Sequence, residues 1–276
     1  MTDSESRKVA LVTGASSGIG QAIALRLASR GLAVYGTARN VSDEGEGRPF
    51  QLVRLDVRSD QSVASCVDEV VARAGRLDIL VNNAGYALSG AAEETSIEEA
   101  KAQFDTNFFG AVRVVNAALP TMRKQRAGKI INIGSLIGLM GVPFMPFYAA
   151  TKFALEGYSE ALWHELKPLG ISVSLVEPEF VHTGLTDRGS LAARRLADYD
   201  GPRQRALDAA RRFVDTGIAP EEVASRVLQI VDSASPRLRY RVGADAKWLP
   251  RLKAVSPWRV FAAGVRRRFH QDASTG

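Results

Sequence analysis

The chain has 276 residues, of which 46% are hydrophobic and 24% charged, proportions that suit a globular domain and exclude a disordered or fibrous chain. A single cysteine, Cys66, excludes an internal disulfide, and the three scattered histidines, His164, His182 and His270, make no metal-spaced cluster. The net charge is +6, yet Arg237 to Phe269 alone holds ten Lys/Arg against one acid, Asp245, so the basic character belongs to the tail.

In chain order, Val9 to Val12 is a short apolar strand that ends in the glycine-rich turn "TGASSGIG". Ile19, Ile23 and Leu27 follow at helical spacing, with Gly31 as the stop. "LAVYGTAR" and "QLVRLDV" read as the second and third strands, and "SDQSVASCVDEVVARAG" as a capped amphipathic helix. "LDILVNNAG" is a fourth strand, Ser96 to Arg126 a long helix, "GKIINIGS" a fifth strand and Tyr148 to Leu169 another helix. "ISVSLVEP", a helix over Ala219 to Asp232 and "RLRYRVG" complete the series. Continuous apolar strands alternating with helices predict an α/β fold, a doubly wound seven-stranded parallel sheet in a single domain. Two stretches read as weakly ordered, Asn40 to Arg48 and Thr186 to Arg212. The second follows the sixth strand, at the carboxyl edge where ligands bind such sheets, so a lid is expected around 183–215. A solvated surface excursion fits the same composition. No apolar run is long enough to span a bilayer, and the polar start "MTDSESRKVA" carries no secretion signal, so a cytoplasmic protein is expected.

Gly14, Gly18 and Gly20 lie between strand and helix, where a backbone can turn tightly and present helix N–H groups to a pyrophosphate. Gln21 follows the last glycine, so the turn is not a P-loop. At the end of the second strand, "GTARN", no acid awaits a ribose hydroxyl, and Arg39 is the first charge. That favours NADP(H) over NAD(H), with Arg39 on the 2′-phosphate and Arg48 as a second candidate cation. Tyr148 and Lys152, in "YAATK", are one helical turn apart and share a face. A nearby ammonium, together with the positive charge of an oxidised nicotinamide, would favour the phenolate and lower a pKa that is otherwise near 10.

"TGASSGIG", "NNAG" at Asn82 to Gly85, Ser135 thirteen residues before Tyr148, and "YAATK" together resemble the short-chain dehydrogenase/reductase family. The similarity covers about Arg7 to Thr183, plus the last helix and strand of the sheet, and it implies a Rossmann-type fold. The resemblance implies cofactor contacts from Gly14, Ser16, Ser17, Gly18, Ile19 and Gly20 in the turn. It implies further contacts from Asp56 (to the adenine amino group), Val57, Asn83, Ala84, Gly85, Pro178, Val181 and Thr183. It assigns catalysis to Asn107, Ser135, Tyr148 and Lys152: Tyr148 as general acid/base, Ser135 on the substrate oxygen, Asn107 holding a relay water, and Lys152 also on the nicotinamide ribose. One position departs from the pattern. Glu179, in "EPEFVHT", stands where the family usually has glycine, and a positive φ there would strain it. His182 reads as a surface loop residue, with contact to substrate as the alternative.

The run "SLIGLMGVPFMPFY" before the tyrosine is almost wholly apolar, which suits the wall of a pocket for a lipophilic substrate, although core packing would use some of the same side chains. With "TKFALEG" it is most similar to the hydroxysteroid and retinol dehydrogenase branch, which implies a steroid-, retinoid- or long-chain-like ketone, aldehyde or alcohol. The tail, residues 244–276, mixes Trp248, Trp258 and Phe261 with Arg and Lys, a pattern that fits peripheral membrane contact. Packing on the body and a subunit interface compete with that reading, and no nucleic-acid module is visible. The expectation is therefore an NADP(H)-dependent oxidoreductase, a homodimer or homotetramer, with 1–243 as catalytic domain and the tail as an extension. The alternative is a non-catalytic nucleotide sensor or a membrane-associated adaptor on the same fold.

Overall fold

The structure is a computed structural model that describes residues 7–41, 47–183 and 190–271. The first half runs β1 (Val9–Val12), α1 (Gly18–Ser29), β2 (Ala33–Ala38), β3 (Gln51–Arg54), α2 (Asp60–Ala74), β4 (Ile79–Asn82), β5 (Leu88–Ser89), α3 (Ile97–Phe104) and α4 (Gly110–Gln125). The second half runs β6 (Gly128–Ile133), α5 (Pro146–Leu166), β7 (Ile171–Pro178), β8 (Ser190–Leu191), α6 (Ala197–Asp215), α7 (Pro220–Asp232), β9 (Arg239–Val242), α8 (Ala244–Val255) and α9 (Trp258–Arg268).

Seven parallel strands form one sheet in the order β3-β2-β1-β4-β6-β7-β9. Val9 to Val12 pair with Ala33 to Gly36 on one side, and Ala10 to Val12 with Ile79 to Val81 on the other. The chain thus reverses its direction of strand addition between β1 and β4, where a crevice opens at the carboxyl ends. Both faces are covered, which is why the strands are apolar throughout. Val63, Val67, Val114 and Leu162 of α2, α4 and α5 pack on one face. Ile23, Leu27, Val223 and Val227 of α1 and α7 pack on the other.

Local chemistry sets the helix ends. Ser59 caps α2 by accepting from Ser62 N–H, and Gly75 ends it at φ 71°. Ser96 and Glu99 form a reciprocal capping box on α3. The expected long helix from Ser96 is α3 and α4 joined by a π-turn over Asp105–Phe109, which contains Asn107. Widened turns of this kind concentrate at functional sites.

The region read as weakly ordered is corrected in part. Over most of Thr186 to Arg212 the chain is the nineteen-residue helix α6, which buries Ala206, Ala209 and Val214. Its polar majority faces solvent, and Gly201 and Pro202 near its start mimic a loop signal. Buried Arg203 of α6 pairs with Glu94, which is fully buried, and with Asp200. Glu94 also accepts from Leu196 N–H. Residues 184–189 of the expected lid, and 42–46 of the earlier stretch, lie outside the described residues.

The tail packs on the body as two helices. Ala246 and Phe261 meet Leu136 and Met140, while Phe269 joins Ala206 and Ala209 of α6. Burying Phe261 and Phe269 stabilises this docking by about 1.5–3 kcal/mol each.

Candidate active site

The glycine-rich turn is built for close approach. Gly14 and Gly18 adopt φ 66° and 57°, where side chains are strained. A Cβ on Gly20 would collide with the Gly14 carbonyl and the Asn83 amide. Thr13 and Asn83 lock the turn to β4: Thr13 Oγ1 accepts from the N–H groups of Asn83 (2.9 Å) and Ala84 (3.0 Å), while Asn83 Nδ2 donates to the carbonyls of Thr13 (3.0 Å) and Gly14 (3.2 Å). Thr37 Oγ1 accepts from Gly14 N–H. Neither Thr13, at the head of the turn, nor Thr37, inside β2, stands out in sequence, because the groups they bond come from other parts of the chain. Below, Asn82 Nδ2 donates to Asn132 Oδ1 (2.9 Å), and Asn132 Nδ2 to Ser159 Oγ (2.8 Å), a buried polar ladder across the central strands.

The remaining positions named from the sequence surround this turn. Ser16 is exposed, Ser17 and Ile19 half-buried, and Gly20 buried. Arg39 is exposed at the end of β2 and close enough to Asp56 to act on its charge. Asp56 is gripped by Arg58, whose Nε and Nη2 lie 3.0 and 2.7 Å from its carboxylate oxygens. That grip holds the Asp56 carboxyl down at about 2. Gly85 abuts the Asn107 side chain. Val57, Ala84, Asn107 and Lys152 line one very small cavity of about 10 Å³, close to the room one water needs. Asn107 is itself buried: Oδ1 accepts from Tyr86 N–H at 3.0 Å, and Nδ2 donates to the Tyr86 carbonyl at 2.8 Å.

Tyr148 and Lys152 rise from the first turns of α5, which Pro146 opens. Ser135 follows β6, its Oγ accepting from Ile137 N–H at 3.1 Å and close enough to the Tyr148 hydroxyl to act on it. Lys152 Nζ lies 5.8 Å from the centre of the Tyr148 ring and donates to the Ile133 carbonyl at 2.8 Å. The side chains by themselves do not lower the phenol; the nicotinamide's positive charge is the other half of that expectation. Burial pushes the Tyr148 phenol up to about 12, with Ser135 opposing. Burial also lowers Lys152 to about 8, with Glu156 opposing. The Lys152 charge is spent on a backbone carbonyl, an orientation that sequence spacing does not specify.

Behind Lys152, the carboxyl groups of Glu156 and Glu177 meet out of water. Both are buried, and burial together with mutual repulsion raises Glu156, which keeps a proton for its bond to Glu177. Arg239 reaches Glu156 at 3.2 Å and Glu177 at 3.5 Å, while Arg241 reaches Glu177 at 3.1 Å.

The loop after β7 passes over the glycine-rich turn. Val181 is buried and bridges to Ile218, His182 is exposed, and Thr183 faces Gly18. Glu179 has no positive φ, so the feared strain is absent. Its side chain accepts from Asp245 N–H at 2.6 Å and caps the first turn of α8. Pro178 ends β7 beside Val242.

A larger cavity, of about 290 Å³, begins at the residue after Ser135. Leu136, Ile137 and Met140 form one wall, Phe180 and Phe213 a second, and Phe261 belongs to the tail. The apolar run before Tyr148 therefore serves both purposes weighed from the sequence, core packing and a cavity wall. Among the described residues no group of three or more His, Cys, Asp or Glu could hold a metal ion.

A fold whose switch point carries a collision-tight glycine turn and a Ser-Tyr-Lys cluster is that of a nicotinamide-dependent oxidoreductase. Residues 8–192 match the short chain dehydrogenase family, and the chain belongs to it, near the hydroxysteroid and retinol dehydrogenase branch. It is 41% identical over 266 residues to a 3-ketodihydrosphingosine reductase of Bacteroides thetaiotaomicron, covering 93% of this chain and 98% of that one. It is 38% identical over 271 residues to retinol dehydrogenase 8 of Bos taurus, covering 91% and 86%. A short-chain dehydrogenase structure from Streptomyces avermitilis superposes with TM-score 0.81 at 33% identity, covering 97% of this chain and 99% of that one. One from Burkholderia phymatum in complex with NAD gives 0.79 at 29%, covering 92% and 95%. ElxO with NADP bound gives 0.73 at 25%, covering 87% and 99%. Similar proteins thus carry either nicotinamide dinucleotide.

Proposed function

We propose that the protein is an NADP(H)-dependent reductase of a lipophilic ketone or aldehyde, with Tyr148 as general acid. The observation that carries this reading is the apolar cavity of about 290 Å³ whose wall includes Leu136 and Ile137, which follow Ser135 directly in the chain. The turn at Gly14, Gly18 and Gly20 would hold the pyrophosphate, Arg39 the 2′-phosphate, Asp56 and Val57 the adenine end, and Lys152 and Thr183 the nicotinamide end. When bound, the nicotinamide supplies the hydride. The chain's own residues place the substrate and move the proton. Ser135 Oγ donates to the carbonyl oxygen and holds it near the phenol. Tyr148 gives its hydroxyl proton to that oxygen as the carbonyl carbon becomes an alcohol carbon. The phenol is protonated at neutral pH and so carries the proton that the reductive direction needs.

A long-chain 3-keto lipid is the first substrate to try, supported by the name of the 41% identical relative and by the greasy wall. Steroid- and retinoid-like carbonyls are the others in the class. A lid at α6 and pairing of subunits belong to the same reading. A nucleotide sensor without turnover would not need Ser135, Tyr148, Lys152 and Asn107 together. The test is NADPH oxidation with a panel of long-chain, steroid and retinoid carbonyls. Tyr148→Phe should cut turnover on the order of 10²–10⁴-fold while cofactor binding, read by NADPH fluorescence, persists. Turnover that survives this change refutes the assigned acid.

A further inference from the structure

The tail helices carry an outward face that the reaction site does not use. Trp248, Leu252 and Val255 recur at helical spacing along one side of α8, and Trp258 and Val260 follow at the start of α9. Their exposures are 67%, 50%, 81%, 69% and 64%. Single exposed apolar residues are ordinary, but five on two consecutive short helices make a ridge that asks for a partner. Exposed Lys247, Arg251 and Arg259 are interleaved with them, and the Arg251 guanidinium lies 5.7 Å from the Trp248 ring centre. The single acid of the tail's basic stretch, Asp245, is already paired with Arg268. Leu252 and Val260 have a second role: each also lines the 290 Å³ apolar cavity. The ridge and the cavity therefore share a rim.

An anionic bilayer surface satisfies both halves of this pattern. Tryptophan settles at headgroup level, aliphatic side chains reach the acyl boundary, and Lys and Arg meet anionic headgroups. Among the described residues no helix is long and apolar enough to cross a membrane, so such an attachment lies on the surface. We propose that the α8–α9 ridge docks the protein on an anionic membrane with the cavity rim at Leu252 and Val260 against the lipid. A lipophilic substrate then enters from the bilayer without crossing water. The loading step rests on the lipophilic-substrate reading above; the docking does not.

The full chain is to be tested by cosedimentation with phosphatidylcholine vesicles, with and without phosphatidylglycerol. The same vesicles then present a long-chain ketone, and a short water-soluble ketone serves as reference. The wild type should bind the anionic vesicles, less so in high salt. Trp248→Ala/Trp258→Ala and, separately, Arg251→Glu/Arg259→Glu should each weaken binding about tenfold or more. Both should slow reduction of the vesicle-held ketone and leave that of the short ketone unchanged. Absence of vesicle binding, or binding untouched by both variants, overturns the docking. Self-association in sedimentation velocity that both variants abolish gives the ridge to a second copy and overturns it too. Vesicle binding with equal loss on both ketones overturns the loading step. If the wild type reduces neither ketone, the enzymatic reading has failed, and the vesicle result still judges the docking.

Discussion

Arg39 and Lys152 mark two limits of reading single residues. The position of Arg39 at the end of β2 was legible because a strand's end is fixed by local pattern; its proposed contact with a 2′-phosphate is for experiment to judge. It is exposed at the end of β2, with the nearby Asp56 carboxylate held by Arg58. Arg39→Asp should weaken NADPH about 10–100-fold while sparing NADH, the worth of one charged hydrogen bond. Equal changes in both KM values would remove the phosphate from Arg39. Lys152 was legible as a helical neighbour of Tyr148, but its hydrogen bond to the Ile133 carbonyl was not, since that carbonyl comes from β6. Thr13 and Asn132 were missed for the same reason: their partners arrive from other strands.

Among the elements, those with a strong apolar period and local caps were readable, as α2 with Ser59 and Gly75 illustrates. α6 was not, because its helix rests on the buried contacts of a few alanines and on the Arg203–Glu94 pair, about a hundred residues apart in sequence. Glu179 is the clearest reversal. In sequence it is a misfit in the loop after β7; in space it caps α8 and ties that loop to the tail. Glu179→Ala should cost about 1 kcal/mol, a few degrees in melting temperature, and speed tryptic cleavage at Lys247 and Arg251. Unchanged melting and cleavage would mean the cap contributes nothing to holding the tail.

For the molecule as a whole, the buried Glu156–Glu177 pair links folding to pH. Glu156 is raised by burial first and by Glu177 second, toward about 8, so the folded state holds a proton that the unfolded chain releases near the ordinary carboxylate range. The stability it contributes is complete below that range and is lost as pH rises from about 4.5 to about 8. Glu156→Gln, neutral at every pH, should flatten the decline of melting temperature across that window. A slope identical to wild type would show that the proton is not held there. Neither acid stood out in sequence, because "FALEG" and "LVEP" look like ordinary helix and strand; only the packing of α5 on β7 brings them together.

The sequence by itself determined what depends on near neighbours: the alternation that makes a doubly wound parallel sheet, the turn at Gly14 to Gly20, and the Tyr148–Lys152 pair with Ser135 before it. Periodicity, backbone freedom at glycine and one-turn spacing act within a few residues, so they can be read along a line. The tertiary structure decided where the Lys152 charge points, that a polar stretch is the helix α6, that Glu179 is a cap, and that the basic tail walls an apolar cavity. Each of these depends on which groups are brought together out of water across the fold, and burial and pairing energies belong to that assembly rather than to any stretch of chain.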